Sequence, residues 1–122
     1  MKTQARKHWT QVDGLIKEPN IHRVRQLAHD KVCLEIGANK GKETIVMAQV
    51  ASKVLSLTTE DNLQECKDNL KEYDNVVFSL GSFESLKDNL FDFIYVTEVD
   101  FSNPLLYSKL KQGGTIEYGA KL

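Results

Sequence analysis

The chain has 122 residues and a formal net charge of −1 at pH 7, with 41% hydrophobic and 27% charged residues. This size predicts one domain with a core of its own, so neither a disulfide nor a structural metal is required. The hydrophobic content excludes a disordered chain, and no apolar run approaches the roughly 20 residues that cross a bilayer. The two cysteines form no Cys-x-x-Cys pair, and no signal-peptide pattern opens the sequence. We therefore expect a reduced, cytoplasmic protein without a zinc site.

The charge is distributed unevenly along the chain. Residues 1–31 carry seven basic and three acidic side chains, whereas residues 32–122 carry nine basic and fourteen acidic ones. We treat residues 1–31 as an N-terminal helical leader and residues 32–122 as the core domain. The basic leader suits an anionic partner such as nucleic acid, on whose bases Trp9 can stack, or the acidic surface of the core. A solvated helix face explains the same pattern, and we favour that interpretation.

The leader contains two predicted helices, Lys7–Lys17 and Asn20–His29, separated by Pro19. Five runs rich in β-branched and aromatic residues follow. Most of them are continuously apolar, which is typical of strands covered on both faces. The predicted strands are Val32–Ile36, Val54–Leu57, Val76–Leu80, Phe91–Val96 and Thr115–Tyr118.

Helical patterns occupy the intervals between these strands. The predicted helices are Lys42–Ala51, Asp61–Tyr73, a shorter Ser82–Leu90, and a last one from Pro104 to Gly113-Gly114. Thr59 and Asn103 are candidate N-caps of the second and the last of them. Alternating strands and helices with right-handed crossovers predict an α/β fold, an open, doubly wound and mostly parallel five-stranded sheet with flanking helices.

The turn between the first strand and the next helix, Leu34–Lys42, is the candidate ligand site, because such sheets bind ligands beyond the carboxyl ends of their strands. Gly37 and Gly41 allow a tight turn, and Asn39 tolerates a left-handed conformation. A phosphate-binding P-loop is excluded, because three residues rather than four separate Gly37 from the Gly-Lys pair, and no serine or threonine follows. A dinucleotide fingerprint fits poorly, because Asn39 and Lys42 replace two of its glycines.

The stretch Leu34–Gly41 resembles motif I of the class I S-adenosylmethionine-dependent methyltransferases, in which an acid and one further residue precede Gly-x-Gly-x-Gly. The acid is present as Glu35, and Asn39 takes the place of the middle glycine. Four later segments resemble the following strands of this family: Val54–Leu63, Asn75–Phe83, Phe91–Thr97 and Leu110–Gly114. Together they cover roughly residues 31–120 and are most similar to the protein-isoaspartate methyltransferase branch. The resemblance implies a Rossmann-like sheet with strand order 3-2-1-4-5.

The resemblance also implies a cofactor, S-adenosylmethionine or its product S-adenosylhomocysteine. The implied cofactor-binding residues are Glu35, Gly37, Ala38, Asn39, Gly41, Thr58, Thr59, Ser82, Phe83 and Thr97. Thr58 stands where the family has an acid for the ribose hydroxyls, and Ser82 where it often has an aspartate for the adenine amino group. Glu60 and Asp61 are alternative ribose partners, although acids in a first helical turn usually interact only with the helix dipole. These departures predict weaker cofactor binding than the family norm.

Catalytic residues are harder to assign than the cofactor site. Glu98 and Asp100 follow the fourth strand, where a substrate enters, and either is a candidate base; an ordinary charged loop is the alternative. The three histidines lie in the leader and are expected on its surface or in packing contacts, so no metal site is predicted. Two functions therefore stay open: a small methyltransferase whose acceptor is unknown, or a non-catalytic binding or assembly subunit with the same fold.

The end of the sequence bears on the assembly. The chain stops at its fifth predicted strand, whereas the family continues with a helix and a pair of antiparallel strands. We therefore expect the fifth strand to be a sheet edge that a second copy of the chain or a partner chain covers. A truncated piece of a longer chain explains the same ending.

Overall fold

The computed structural model describes residues 20–38, 41–97 and 104–119. The predicted helix Lys7–Lys17 and the candidate cap Asn103 lie outside these ranges. The elements in chain order are helix α1 (Asn20–Ala28), strand β1 (Val32–Ala38), helix α2 (Lys42–Ala48), strand β2 (Lys53–Thr58), helix α3 (Glu60–Asn69), strand β3 (Val76–Leu80), a first 3-10 helix (Phe83–Ser85), strand β4 (Phe91–Val96), a second 3-10 helix (Pro104–Lys109) and strand β5 (Leu110–Tyr118).

The five strands form one parallel sheet in the order β3-β2-β1-β4-β5, so the predicted fold class and strand order are confirmed. In the centre of the sheet, Leu34 of β1 pairs with Leu55 of β2 on one side and with Ile94 of β4 on the other. The central strands are buried on both faces, which explains their continuously apolar sequences. Because the pairing is parallel, the carboxyl ends of β1, β2 and β4 meet at one edge, where the site was predicted.

Neighbouring strand residues point to opposite faces of the sheet, and each face has its own buried cluster. The face covered by α1, α2 and the end of α3 is called the helical face. Its buried cluster consists of Ile21, Val24, Ala28, Cys33, Ile45, Val46, Met47, Ala48, Val54, Leu70, Phe93 and Tyr95. The face covered by the two 3-10 helices is called the turn face. Its buried cluster consists of Leu34, Ile36, Leu57, Phe83, Phe91, Ile94, Val96 and Leu106.

The helices of the helical face largely follow their predictions. Helix α2 ends at Ala48 rather than Ala51, and α3 ends at Asn69 rather than Tyr73. Thr59 holds the N-cap position of α3, but its hydroxyl makes no capping bond and instead accepts a hydrogen bond from the side-chain Nδ2 of Asn62 at 3.0 Å. The existence and order of these helices were therefore readable from the sequence, whereas the last turn of each was not.

The predicted helix Ser82–Leu90 is wrong. Only the first 3-10 helix forms there, and Leu86 is already extended at its C-cap. Asn89 adopts a left-handed conformation with φ 55°, which a helix interior does not allow. The segment therefore turns back to β4 instead of covering the turn face with a full helix.

The predicted last helix is also wrong. The second 3-10 helix ends at Lys109, and β5 begins at once. Phe91 pairs with Leu110 and Phe93 with Thr115, so residues 111–114 of β5 bulge opposite a single residue of β4. Gly113 has φ 83° in this bulge, and a Cβ on Gly114 would lie 2.9 Å from a backbone oxygen. Glycine pairs serve helix ends and β-bulges equally well, and here the bulge is formed.

The turn face is only partly covered. The side chain of Val77 on the edge strand β3 is 62% exposed. A groove of about 700 Å³ runs along this face at the amino ends of the strands, with Val32, Leu55, Val77 and Leu90 among its apolar lining residues. Within the described ranges, no helix is long and apolar enough to cross a membrane. The described residues also contain no group of three or more side chains that could ligate a metal ion.

Candidate functional site

The β1–α2 turn has the backbone geometry that its glycines predicted. Gly37, next to last in β1, and Gly41, the N-cap of α2, both have φ 92°, a conformation that L-amino acids with side chains rarely adopt. A Cβ on Gly41 would also lie 2.7 Å from the Cδ2 atom of Leu70, because the turn packs on the residue that follows α3. The conformation of Gly41 therefore favours glycine, and a larger residue would also require the Leu70 side chain to move. Asn39, the remaining predicted residue of this turn, lies outside the described residues.

Two threonines at the carboxyl ends of the neighbouring strands hold the start of this turn. The Thr97 hydroxyl, just after β4, lies 2.8 Å from the Ile36 carbonyl and 2.7 Å from the Gly37 carbonyl, and it donates to this pair. On the other side, the Thr58 hydroxyl donates to the Ala38 carbonyl at 2.6 Å. Both hydroxyls were predicted to face a cofactor. Their hydrogens are instead engaged by backbone carbonyls of the turn, so the two side chains fix its position between β2 and β4.

Glu35 lies directly beneath the turn and is fully buried. Its Oε1 atom accepts hydrogen bonds from two hydroxyls, Thr44 of α2 and, at 2.7 Å, Ser56 of β2. The carboxyl group therefore connects three elements around the site. Its Oε2 atom is buried and has no hydrogen-bond partner among the described residues.

Burial raises the pKa of Glu35 to about 7, because removal from water disfavours the charged form. The hydrogen bonds from Thr44 and Ser56 lower this pKa, and the nearby carboxylate of Glu43 raises it. The balance leaves Glu35 with a proton affinity that is unusually high for a carboxylic acid. Its charge therefore changes close to neutral pH.

On the predicted adenine side of the site, the side chains of Ser82 and Phe83 already make contacts within the protein. The Ser82 hydroxyl donates to the Glu84 carboxylate at 2.7 Å and accepts from the Glu84 amide at 3.2 Å, so it caps the first 3-10 helix. Phe83 is buried in the turn-face cluster. Thr59 is exposed, and so are Glu60 and Asp61 in the first turn of α3. The candidate bases Glu98 and Asp100 lie outside the described residues.

Sequence reasoning missed the two hydroxyl donors of Glu35. Ser56 carried a usable signal, since it is the one polar residue inside the apolar run Val54–Leu57. Such a residue in a buried strand needs a hydrogen-bond partner, and Glu35 pairs with it across the sheet. Thr44 carried a weaker signal, because a threonine in a first helical turn is common on a surface.

The described part of the site suits ligand binding better than covalent catalysis. Both cysteines are buried, and burial raises the pKa of Cys33 to about 12 and that of Cys66 in the same direction. A thiol must ionise to act as a nucleophile, so neither is activated. The described residues of the turn, by contrast, present glycine-containing backbone at the switch point of a parallel sheet, where such folds bind their ligands.

No protein-family model matches the sequence, and no curated protein matches it. Solved structures do match. The YcgJ protein of Bacillus subtilis is 22% identical, with a TM-score of 0.69 over 80% of this chain and 48% of its own. A protein-L-isoaspartate O-methyltransferase is 24% identical, with a TM-score of 0.65 over 80% of this chain and 33% of its own. An S-adenosylmethionine-dependent methyltransferase of Mesorhizobium loti is 17% identical, with a TM-score of 0.70 over 88% of this chain and 54% of its own.

The chain thus spans between a third and about half of the length of these three structures. At such low identities the likeness concerns the fold, and function has to be argued from the site. Strand order, parallel pairing and the position of the glycine turn all agree with the resemblance read from motif I. The chain has the fold of the class I S-adenosylmethionine-dependent methyltransferases.

Proposed function

We propose that this protein binds S-adenosylmethionine, or S-adenosylhomocysteine, over the β1–α2 turn and acts as a small methyltransferase. The observation that carries the proposal is the anchoring of this turn. Hydroxyls of Thr58 and Thr97 donate to the carbonyls of residues 36–38 from both sides, so the described start of the turn is held in place at the carboxyl edge of the sheet. A site held in its binding conformation before the ligand arrives loses less entropy on binding.

The residues fit this cofactor unevenly. Gly37 and Gly41 allow the close backbone approach that a ligand on the turn requires, and Glu35 places a buried carboxyl group beneath it. On the ribose and adenine sides, the hydroxyls of Thr58 and Ser82 are engaged within the protein. We therefore expect affinities in the micromolar-to-millimolar range.

When bound, the cofactor would supply an electrophilic methyl group, and the protein's part is to position the acceptor beside it. The acceptor would enter at the carboxyl end of β4. Glu98 and Asp100 follow that strand in sequence and stay candidates for orienting or deprotonating it. The chemistry of the acceptor is open.

Calorimetric titration with S-adenosylmethionine and with S-adenosylhomocysteine tests the cofactor site. We expect binding to the wild type and loss of binding in Gly37→Val, since a β-branched residue is strained at φ 92°. Gly113→Val is the matched control: its φ is 83°, no atom lies within 4 Å of the added Cβ, and it sits in the β5 bulge. Undiminished binding by Gly37→Val would show that the cofactor does not bind at this turn.

The alternative is a non-catalytic binding or assembly subunit with this fold. The engagement of the Thr58 and Ser82 hydroxyls within the protein favours it, because those positions contact the cofactor in the resemblance. A thermal-shift screen with S-adenosylmethionine, S-adenosylhomocysteine and NAD separates the two functions, since a bound ligand stabilises the folded state by mass action. No shift with any of the three favours the subunit.

For the assembly, we propose that a second copy or a partner chain pairs with β5, which is an edge strand of the sheet. Residues 115–118 pair regularly with β4, beyond the bulge, and form the straight part of that edge. Sedimentation at high protein concentration tests the homodimer. A clean monomer would count against it.

A further inference from the structure

Glu35 is a buried carboxyl group, and among the described residues no positively charged group shifts its pKa. Four titratable groups interact electrostatically with Glu35, and each lies on a different element. They are Cys33 on its own strand, Glu43 on α2, Cys66 on α3 and Tyr95 on β4. All of these are acids. On the fifth neighbouring element, β2, the group facing it is the uncharged hydroxyl of Ser56.

The hydrogen bonds of this carboxyl group are one-sided. Both hydroxyl donors, from Thr44 and Ser56, reach Oε1, and Oε2 has no partner in the described residues. A protonated acid fits this arrangement, because Oε1 then serves as a carbonyl acceptor and the hydrogen resides on Oε2. The ionised form leaves half of a negative charge on a buried oxygen without a donor, which is costly.

The position of Glu35 couples it to any ligand on the turn. One residue, Ile36, separates it from Gly37 at the start of the turn, and Thr44 connects it to the helix that follows the turn. Water is excluded from the carboxyl group, so a charge placed on the turn is poorly screened from it. A positive ligand charge therefore favours the ionised form of Glu35.

We propose that S-adenosylmethionine, when it binds at this turn, displaces the proton of Glu35, so that the protein distinguishes the cationic cofactor from its neutral product. This inference rests on the proposed function. The carboxylic acid gives its hydrogen ion to the solvent, and the carboxylate stays as counter-charge to the bound cation. S-adenosylmethionine carries a sulfonium, an ammonium and a carboxylate, hence one net positive charge. S-adenosylhomocysteine lacks the sulfonium charge and is neutral overall.

The consequence is a selectivity that depends on pH. As the pH rises and Glu35 ionises in the free protein, the affinity for the cationic cofactor rises and that for the neutral product changes less. If the bound cation shifts the ionisation of Glu35 by one pKa unit, the ratio of the two affinities increases about tenfold between acidic and mildly basic pH. Above pH 7, the protein would then bind S-adenosylhomocysteine more weakly relative to S-adenosylmethionine than it does at acidic pH.

The experiment is calorimetry of both ligands from pH 5.5 to 8.5, in pairs of buffers with different ionisation enthalpies, which counts the protons released. The wild type is compared with Glu35→Gln, in which the group no longer titrates. Ionisations of the ligands themselves are common to both proteins and cancel in this comparison. We expect excess proton release in the wild type with S-adenosylmethionine, little with S-adenosylhomocysteine, and a pH-dependent affinity ratio that Glu35→Gln abolishes.

Two further variants make the test independent of whether Glu35→Gln folds. Ser56→Ala removes a donor that favours the ionised form, so the midpoint of the affinity-ratio profile should move to higher pH. Glu43→Gln, a control at a partly exposed site, removes a repelling charge and should move the midpoint to lower pH while proton release persists. A merely structural role for Glu35 moves neither midpoint.

The outcomes separate the two proposals. If neither ligand binds at any pH, the proposed function fails and this inference fails with it. If both ligands bind, but the proton counts of wild type and Glu35→Gln are equal or the two midpoints do not move, only the coupling through Glu35 is overturned.

Discussion

The two faces of the sheet satisfy their buried polar groups in different ways. On the helical face, a carboxyl group at the centre of the sheet is held by hydroxyls from a helix and a neighbouring strand, Thr44 and Ser56. On the turn face, the buried polar group is the ammonium of Lys109, which is held mainly by backbone carbonyls of an irregular segment. The first arrangement connects β1 to α2 and β2 beneath the β1–α2 turn, whereas the second holds together two segments where full helices were predicted.

Lys109 connects the two 3-10 helices through hydrogen bonds of its ammonium group. Its Nζ donates to the Leu86 carbonyl at 2.7 Å, to the Asp88 carboxylate at 3.0 Å and to the Glu84 carbonyl at 3.4 Å. Three acceptors match the three hydrogens of an ammonium group. The same contact holds the pKa of Asp88 below its ordinary value. Lys109 thus links two segments that cover the turn face, whose outer part, at Val77, is exposed.

The largest expected effect concerns the packing difference between the faces. Phe93 is fully buried in the helical-face cluster, and Phe93→Ala should lower the free energy of unfolding by about 3–5 kcal/mol, through lost burial and the cavity left behind. Val77→Ala on the turn face should change it by less than about 0.5 kcal/mol, because that side chain already lies mostly in water. Urea unfolding of both variants measures the contrast. Similar losses in both would mean that the groove beside Val77 is covered in solution.

The next effect tests the buried acid of the helical face. The pKa of Glu35 is about 7 in the folded protein against an ordinary 4.5, so the folded state holds the proton more tightly than the unfolded state. The contribution of this group to stability is therefore complete below pH 4.5 and is lost as the pH rises through 7. The loss is about 3 kcal/mol from the size of the shift. Urea unfolding of the ligand-free protein at pH values from 5 to 8 measures it.

Variants of Glu35 and Glu43 identify the source of that pH dependence. Glu35→Gln mimics the protonated acid, so its stability should be nearly flat between pH 5 and 8. Glu43→Gln removes a nearby negative charge and should keep the dependence with a smaller amplitude, because the carboxylate of Glu43 adds to the raised pKa. A Glu35→Gln protein with the wild-type slope would assign the effect to other groups.

The sequence was most informative where one physical signal dominates. The apolar runs at β1 and β4 located the buried central strands, and Gly37 with Gly41 located the turn at the carboxyl edge of the sheet. Both signals are local. A short, continuously apolar run in a small domain is typical of a strand that is buried on both faces. A positive φ restricts the residue type at its position, because few residues other than glycine adopt it.

The turn face was predicted poorly because its segments satisfy two patterns at once. Phe83, Leu86 and Leu90 have the spacing of an amphipathic helix, yet Asn89 turns the chain out of helical geometry. The pair Gly113-Gly114 suits a helix end as well as the bulge that it forms. Which pattern is realised depends on contacts far along the chain, such as those of Lys109.

For the site residues, too, the sequence predicted the position of a side chain but not its contacts. Thr58 and Thr97 lie at the carboxyl edge of the sheet, as predicted, but a hydroxyl there can face a ligand or a backbone carbonyl. The choice depends on where the carbonyls of Gly37 and Ala38 point once β1 is paired on both sides. Sequence spacing carries no information on that direction, so the sequence alone does not assign the roles of these side chains.

The smallest of these effects tests the hydrogen bonds of Lys109 on the turn face. Lys109→Met keeps the length of the side chain and removes its charge, which leaves the Leu86 carbonyl without its 2.7 Å donor. We expect a loss of about 1–3 kcal/mol in the free energy of unfolding, the range for a buried acceptor without a partner. Lys87→Met, at an exposed position of the same segment, is the control and should change it by less than about 0.5 kcal/mol.

Hydrogen exchange shows where the Lys109 effect acts. The Leu90 amide donates to the Lys109 carbonyl at 2.9 Å, and the Leu86 amide donates to the Phe83 carbonyl at 3.0 Å. Both amides should exchange faster in Lys109→Met, while the Ile45 amide in α2 keeps its protection, because a segment held by few contacts opens without the rest of the fold. If Ile45 loses protection to the same extent, the two faces unfold as one unit, and the irregular segment is then as integral to the fold as the helices opposite it.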